Sequence, residues 1–246
     1  AKPSKMPLDI IIWPETAYPY NINSEQFKEG EFYIPTLLKD VVNKTQSSLF
    51  LGIRDAPQKN LLYNSGLYIK PNFSWKIYYK NKLLPFGEDL PLGPFKKYVK
   101  PYVPGIAFFN RGNGATIFET KEQTYFSSVI CYEILFPNLL FNQLKNKQKY
   151  PQFIINITND SWFGPTSEPE QHLFLSRWRA IEFGVPIVRS TNTGISTIIF
   201  PDGKLSRRLE FGTEGVLDHS LKVPKQPIRT VYSLWGDKTF LGIMLI

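Results

Sequence analysis

The sequence predicts a layered α/β fold in which helices cover the faces of mixed sheets. Three observations lead there: apolar runs of strand length recur along the 246 residues, stretches with helical spacing alternate with them, and turn-forming residues fall between neighbouring runs. The composition suits a packed core, at 42% hydrophobic and 15% aromatic residues, with 16 Gly and 20 Pro dispersed along the chain. This length fits one large domain or two small ones, and no internal repeat or low-complexity tract marks a linker.

Taken in order, the first expected strand covers residues 8–13, where Ile10, Ile11 and Ile12 run into Trp13. A helix is expected over 32–43, with Leu38, Val41 and Val42 at spacings of three and four. Strands follow at 48–53, 61–69, 74–79, 115–118 and 124–130, each a short apolar or aromatic run. A helix over 134–144 and a strand over 153–157 come next. The helix at 169–183 carries the most signals. Ser167 and Glu170 have capping-box spacing, Phe174, Trp178 and Ile181 share one face, and Gly184 with Pro186 closes the segment. Strands at 186–190 and 195–200 complete the set. Asn64-Ser65-Gly66 between two apolar runs, and Pro201-Asp202-Gly203 after the last strand, have hairpin-turn composition, so the sheet is expected to be mixed rather than wholly parallel.

Charge and cysteine content narrow the function classes. With 29 Lys+Arg against 21 Asp+Glu the net charge is +8, which suits acidic partners, yet no nucleic-acid-binding motif is present. A single cysteine, Cys131, excludes an intrachain disulfide and any multi-cysteine metal site, and two histidines leave no ordinary zinc cluster, so no metal or other cofactor is expected. Residues 240–246 form an apolar run well short of the roughly 20 residues that cross a bilayer. It reads either as a strand or core helix or as the first turns of a membrane helix, and the second reading makes the chain a piece of a longer protein.

Three reactive side chains follow apolar strands directly: Glu15, Lys80 and Cys131. Strand ends in α/β sheets present side chains to a crevice, so three positions distant in sequence can converge. Each alone has an ordinary structural role, as a loop carboxylate, a surface lysine and a small buried hydrophobe. Together they form an acyl-transfer set. A glutamate takes the thiol proton, the thiolate adds to a carbonyl, and the lysine with the N–H after the cysteine holds the growing oxyanion. A second arrangement, Cys131 with His172 and Asn192, has the chain order of papain-like proteases without their local cysteine context. Gly112-Asn113-Gly114 lacks the lysine and the strand–loop–helix setting of a phosphate loop.

Four ordered blocks then carry a resemblance: Ile12-Trp-Pro-Glu-Thr-Ala17, Tyr79-Lys-Asn-Lys-Leu-Leu-Pro-Phe-Gly-Glu88, Ile130-Cys-Tyr-Glu133 and Asn159-Asp-Ser-Trp-Phe-Gly164. They resemble the nitrilase superfamily of carbon–nitrogen hydrolases and, within it, the soluble domain of bacterial apolipoprotein N-acyltransferases. The segments around Pro169–Leu173, Arg177–Glu182 and Arg189–Gly194 point the same way. The resemblance implies an αββα sandwich over residues 1–234, with 235–246 beginning a membrane helix. It implies Glu15 as general base, Lys80 as oxyanion stabiliser and Cys131 as the thioester-forming nucleophile. It also implies supporting roles for Glu88, Tyr132 and Glu133, and an acyl pocket shaped by Trp162 and Phe163. The position two after the lysine, often histidine in this superfamily, is Lys82 here. The implied partners are a phospholipid acyl donor, a diacylglyceryl lipoprotein acceptor and the bacterial inner membrane, with the domain on its periplasmic side. The alternative in the same superfamily is a soluble amidase acting on a small amide.

Overall fold

Strand residues that alternate between two buried sides build this molecule. The computed structural model describes residues 8–145, 149–224 and 229–238, apart from the Phe163 side chain. The first sheet contains β1 (Ile10–Ile12), β2 (Asn21–Ile22), β3 (Ser48–Asp55), β4 (Tyr63–Ile69) and β5 (Trp75–Tyr79), in the order β1-β3-β4-β5 with β2 also on β3. The second contains β6 (Ile117–Glu119), β7 (Tyr125–Ile130), β8 (Phe153–Asn159), β9 (Ile187–Asn192) and β10 (Thr197–Ile199), in the order β10-β9-β8-β7-β6. Both sheets are mixed: β1 and β2 run parallel to β3 and β7, β8 and β9 are mutually parallel, while the remaining neighbours are antiparallel.

The helices are α1 (Ser24–Phe27), α2 (Thr36–Thr45), α3 (Lys96–Val99), α4 (Pro137–Leu144), α5 (Glu168–Phe183) and α6 (Val231–Trp235). On β3 the period of two sends Leu49, Leu51 and Ile53 towards Leu38 and Val42 of α2, and Phe50 towards the other sheet. Between the sheets, Phe50, Tyr68, Phe118 and Phe126 pack ring on ring, with Phe118 and Phe126 stacked at 4.8 Å. On the far side, Leu140 and Leu144 of α4 and Leu173, Ala180 and Phe183 of α5 cover Val129, Ile154 and Ile187. The order helix, sheet, sheet, helix is the expected αββα sandwich.

Several local expectations are corrected. Proline splits two helices: the 32–43 segment becomes a 3-10 turn, Glu31–Tyr33, and then α2 after Pro35, with Ile34 extended. The 134–144 segment likewise divides at Phe136, directly before Pro137, because the proline ring disfavours helical backbone in the residue that precedes it. Asn64-Ser65-Gly66 is no turn; all three lie buried within β4, and the connection falls ahead of them. Pro201-Asp202-Gly203 does turn the chain, with the Gly203 N–H on the Phe200 carbonyl and Gly203 at φ 78°. Ser167 makes no side-chain cap and Glu170 instead meets Arg208, so no capping box forms, although Gly184 ends α5 in the left-handed conformation. The face of Phe174, Trp178 and Ile181 is largely exposed, because α5 is apolar on two sides and buries the one with Leu173, Ala180 and Phe183. No helix of the described residues is long and apolar enough to cross a membrane, and residues 239–246 of the expected membrane segment lie outside them.

Candidate active site

The side chains at the three strand ends singled out in the sequence meet in one buried group. Glu15 follows β1 in a turn pressed onto β3: the Trp13 N–H bonds the Phe50 carbonyl and the Gly52 N–H bonds that of Pro14. A side chain at Gly52 would strike the Glu15 Cα, so glycine in mid-strand is what lets the carboxylate approach. Lys80 leaves β5 with its N–H on the Asn64 carbonyl. Cys131 leaves β7 one step past the Ile130–Ile157 pair, which sets it beside Thr158 of β8. Its φ of 54° is left-handed, a conformation that persists in a non-glycine residue only when the surroundings fix it.

All three side chains are buried, with Cys131 6%, Glu15 5% and Lys80 1% exposed. The Lys80 ammonium lies 3.6 Å from Glu15 Oε1 and 2.9 Å from Glu88 Oε2. Asn64, misread as a turn residue, completes this group: its Nδ2 donates to Glu15 Oε1 and to Glu88 Oε1, both at 2.6 Å. The Asn159 N–H holds the other oxygen of Glu15 at 2.8 Å, and the Leu84 N–H holds Glu88 Oε2 at 2.8 Å.

These surroundings set the protonation states. Burial raises the pKa of Glu15 above the ordinary 4.5 while Lys80 pulls it back. Burial works against the charge on Lys80, but Glu15, Cys131, Glu88 and Glu133 outweigh it, so the ammonium is held charged. Burial and then Glu15 push the Cys131 thiol up to about 12, against the opposing pull of Lys80. Cys131 is therefore a thiol at rest, and for its sulfur to act as a nucleophile the proton must pass to a base.

Glu133 fastens the lysine strand to the cysteine strand. One oxygen accepts the N–H groups of Asn81 and Lys82 at 2.6 and 2.9 Å; the other accepts the Ile130 N–H and the Tyr78 hydroxyl, both at 2.8 Å. Burial lifts its pKa to about 6, with Lys80 and these donors pulling the other way, so it is ionised at neutral pH. Glu133→Gln turns an NH2 group towards two of the donors. The expected result is a stability loss of about 1–3 kcal/mol for each donor left unpaired, read as a lower Tm, together with loss of activity in the folded fraction.

Tyr132 is half-buried with its hydroxyl on the Leu83 carbonyl at 3.0 Å, and its N–H is the one directly after Cys131. Lys82 turns its ammonium over the Phe136 ring. Trp162 is 67% exposed, which removes a core-packing role, and the Phe163 side chain lies outside the described residues. The papain-like arrangement does not assemble: His172 Nδ1 faces Asp160 at 3.3 Å and Glu168 at 3.5 Å, while Asn192 is exposed at the end of β9. Asp160, Glu168 and His172 form a group with metal-ligand geometry among the described residues, but the Arg189 guanidinium already sits 2.9 Å from Asp160 and supplies the compensating charge.

Comparison with known proteins places this arrangement in a family. The carbon-nitrogen hydrolase family matches residues 1–225. An apolipoprotein N-acyltransferase of Rickettsia typhi is 35% identical over 96% of this chain and 46% of its own length. One of Bdellovibrio bacteriovorus is 32% identical over 97% of this chain and 44% of its own. The chain thus spans less than half the length of these relatives. Among solved structures, a mutant of the Nesterenkonia AN1 amidase, from the nitrilase superfamily, superposes with a TM-score of 0.61 at 14% identity, over 97% of this chain and 84% of that one. A fold shared at that distance, and a family match over nearly the whole length, agree on one conclusion: this chain belongs to the carbon-nitrogen hydrolase family.

Proposed function

We propose that this chain is the catalytic domain of an apolipoprotein N-acyltransferase, which moves a fatty acyl chain from a phospholipid to Cys131 and then to the α-amine of a diacylglyceryl-cysteine lipoprotein. The observation that carries the reading is that relatives named for this activity match nearly the whole chain at 32–35% identity. The buried Glu15, Lys80 and Cys131 supply a chemistry consistent with it. Glu15 takes the thiol proton as sulfur adds to the ester carbonyl. Lys80 and the Tyr132 N–H stabilise the oxyanion, a role in which one donor is typically worth about 3–4 kcal/mol. Collapse expels the lysophospholipid alkoxide, which takes the proton from Glu15 and leaves the acyl group on sulfur. The lipoprotein amine then attacks the thioester, its proton passes through Glu15 to the departing thiolate, and an amide remains. A thioester lies close in energy to an ester and well above an amide, so the second transfer draws the first forward.

A membrane surface as the working place, on the periplasmic side of the bacterial inner membrane, is part of the same proposal. Supporting it, the segment over residues 86–102 exposes Phe86, Phe95, Tyr98 and Tyr102 beside Lys96, Lys97 and Lys100. Exposed aromatic rings among lysines suit the headgroup region of an anionic bilayer. The test is incubation with phospholipid vesicles followed by intact-protein mass spectrometry. A mass gain of one acyl chain, removed by hydroxylamine, is expected. No adduct on protein that turns over would end the thioester proposal, and faster hydrolysis of small amides than acyl transfer would favour an amidase.

A further inference from the structure

The nucleophile and the expected base are both held from β8, and β8 is held by Arg189. That residue lies on β9 with a side chain wholly removed from solvent. Its Nη1 donates to Asn156 Oδ1 at 2.7 Å and its Nη2 to Asp160 Oδ2 at 2.9 Å. Asn156 turns its Nδ2 to the carbonyls of Val129 and Cys131, at 3.3 and 3.4 Å. The guanidinium fixes that choice: with a cation on Oδ1, only the NH2 group is left to face the two carbonyls. Asp160 accepts the Thr158 hydroxyl at 2.9 Å through its other oxygen. The peptide N–H just before Asp160, that of Asn159, is the one on Glu15. A side chain at Gly194 would strike the Asp160 carboxylate, so the turn after β9 closes over the pair only with glycine there.

A buried guanidinium is costly to desolvate and is found where paired and hydrogen-bonded. Here its pairs end on the two groups whose mutual placement the chemistry needs. The left-handed Cys131 must be held by its surroundings, and Asn156 grips the carbonyl of that same residue. We propose that Arg189 is a positioning residue: through Asn156 it fixes the Cys131 turn, and through Asp160 it fixes the peptide that orients Glu15, so that thiol and base keep one alignment. This rests on the reading of Cys131 and Glu15 as nucleophile and base.

Because Cys131 is the only cysteine in the sequence, alkylation by iodoacetamide reports on it alone. The rate constant per folded molecule is measured across pH for the unmodified chain, Arg189→Lys, Asn156→Ala and Glu15→Gln, with folding checked by circular dichroism and melting. Arg189→Lys keeps a charge but loses the fork that spans Asn156 and Asp160. It is expected to slow alkylation about tenfold or more and to flatten the part of the pH profile that Glu15→Gln also removes. If Arg189→Lys does not fold, Asn156→Ala, which leaves the Arg189–Asp160 pair intact, is expected to show the same slowing. A purely structural role lowers the melting temperature and leaves rate and profile per folded molecule unchanged, and that result in whichever variant folds overturns the proposal. Glu15→Gln alkylating as the unmodified chain does would instead overturn the base assignment, with slowing in Arg189→Lys still supporting the hold on Cys131.

Discussion

Cys131→Ala is expected to abolish acyl transfer while leaving the fold in place. The proposed nucleophile is removed outright, so the rate should fall on the order of 10⁴-fold or more, as it does in enzymes that form a covalent intermediate. The side chain is small and sits buried at a strand end, so its replacement by a methyl group removes a single sulfur atom from the packing. Its neighbours keep their own partners: Lys80 retains Glu15 and Glu88, and the Cys131 backbone retains Asn156. The measurement pairs turnover with intact mass. Unmodified protein should carry one hydroxylamine-labile acyl group after exposure to phospholipid vesicles, and Cys131→Ala should carry none. With one cysteine in the chain, a labile adduct surviving in the variant would place the chemistry on another residue type.

How far this was legible beforehand follows from the range of the interactions involved. All nine expected strands are present, because alternation and apolar runs are local and each strand is buried on a face its own residues define. Helix boundaries failed where a proline governed the preceding residue, at Ile34 and Phe136. The outward face of α5 was misjudged since Phe174, Trp178 and Ile181 are as regularly spaced as the face that packs; only the neighbouring sheet decides between them. In the site, Glu15, Lys80 and Cys131 stand out by following strands, and the fold brings the three side chains together. Asn64 could not be found that way. Its Ser-Gly neighbours resemble a turn, and its bond to two carboxylates depends on β4 pairing with β5. Arg189 and Asp160 lie inside quoted motifs, but their pairing requires the parallel register of β8 and β9.

The second large effect is expected from Glu15→Gln, and its pH dependence separates a proton acceptor from a structural anchor. Burial and Glu15 push the Cys131 thiol up to about 12, so at neutral pH almost no thiolate exists without a base. Replacing the carboxylate with an amide of the same shape keeps the bond from Asn64 or that from Asn159, turns an NH2 group towards the other donor, and removes the proton acceptor. A fall of about 10²–10⁴-fold in thioester formation is expected. With Glu15 as the proposed base, activity of the unmodified chain requires that carboxylate to be ionised. Burial raises its pKa above the ordinary 4.5, so the rate should decline as pH drops through a midpoint above that value rather than at it. No matching loss should occur on the alkaline side near the usual lysine value of 10.5, because the surrounding carboxylates keep Lys80 charged beyond it. In Glu15→Gln the acidic limb should disappear along with most of the rate, since no carboxylate remains to titrate in that role. A pre-steady-state measurement of acyl-enzyme formation between pH 4 and 11.5 checks both features. An acidic limb that persists unchanged in the variant would move the base to another group, for which Glu88, bonded to the same lysine and the same asparagine, is a candidate.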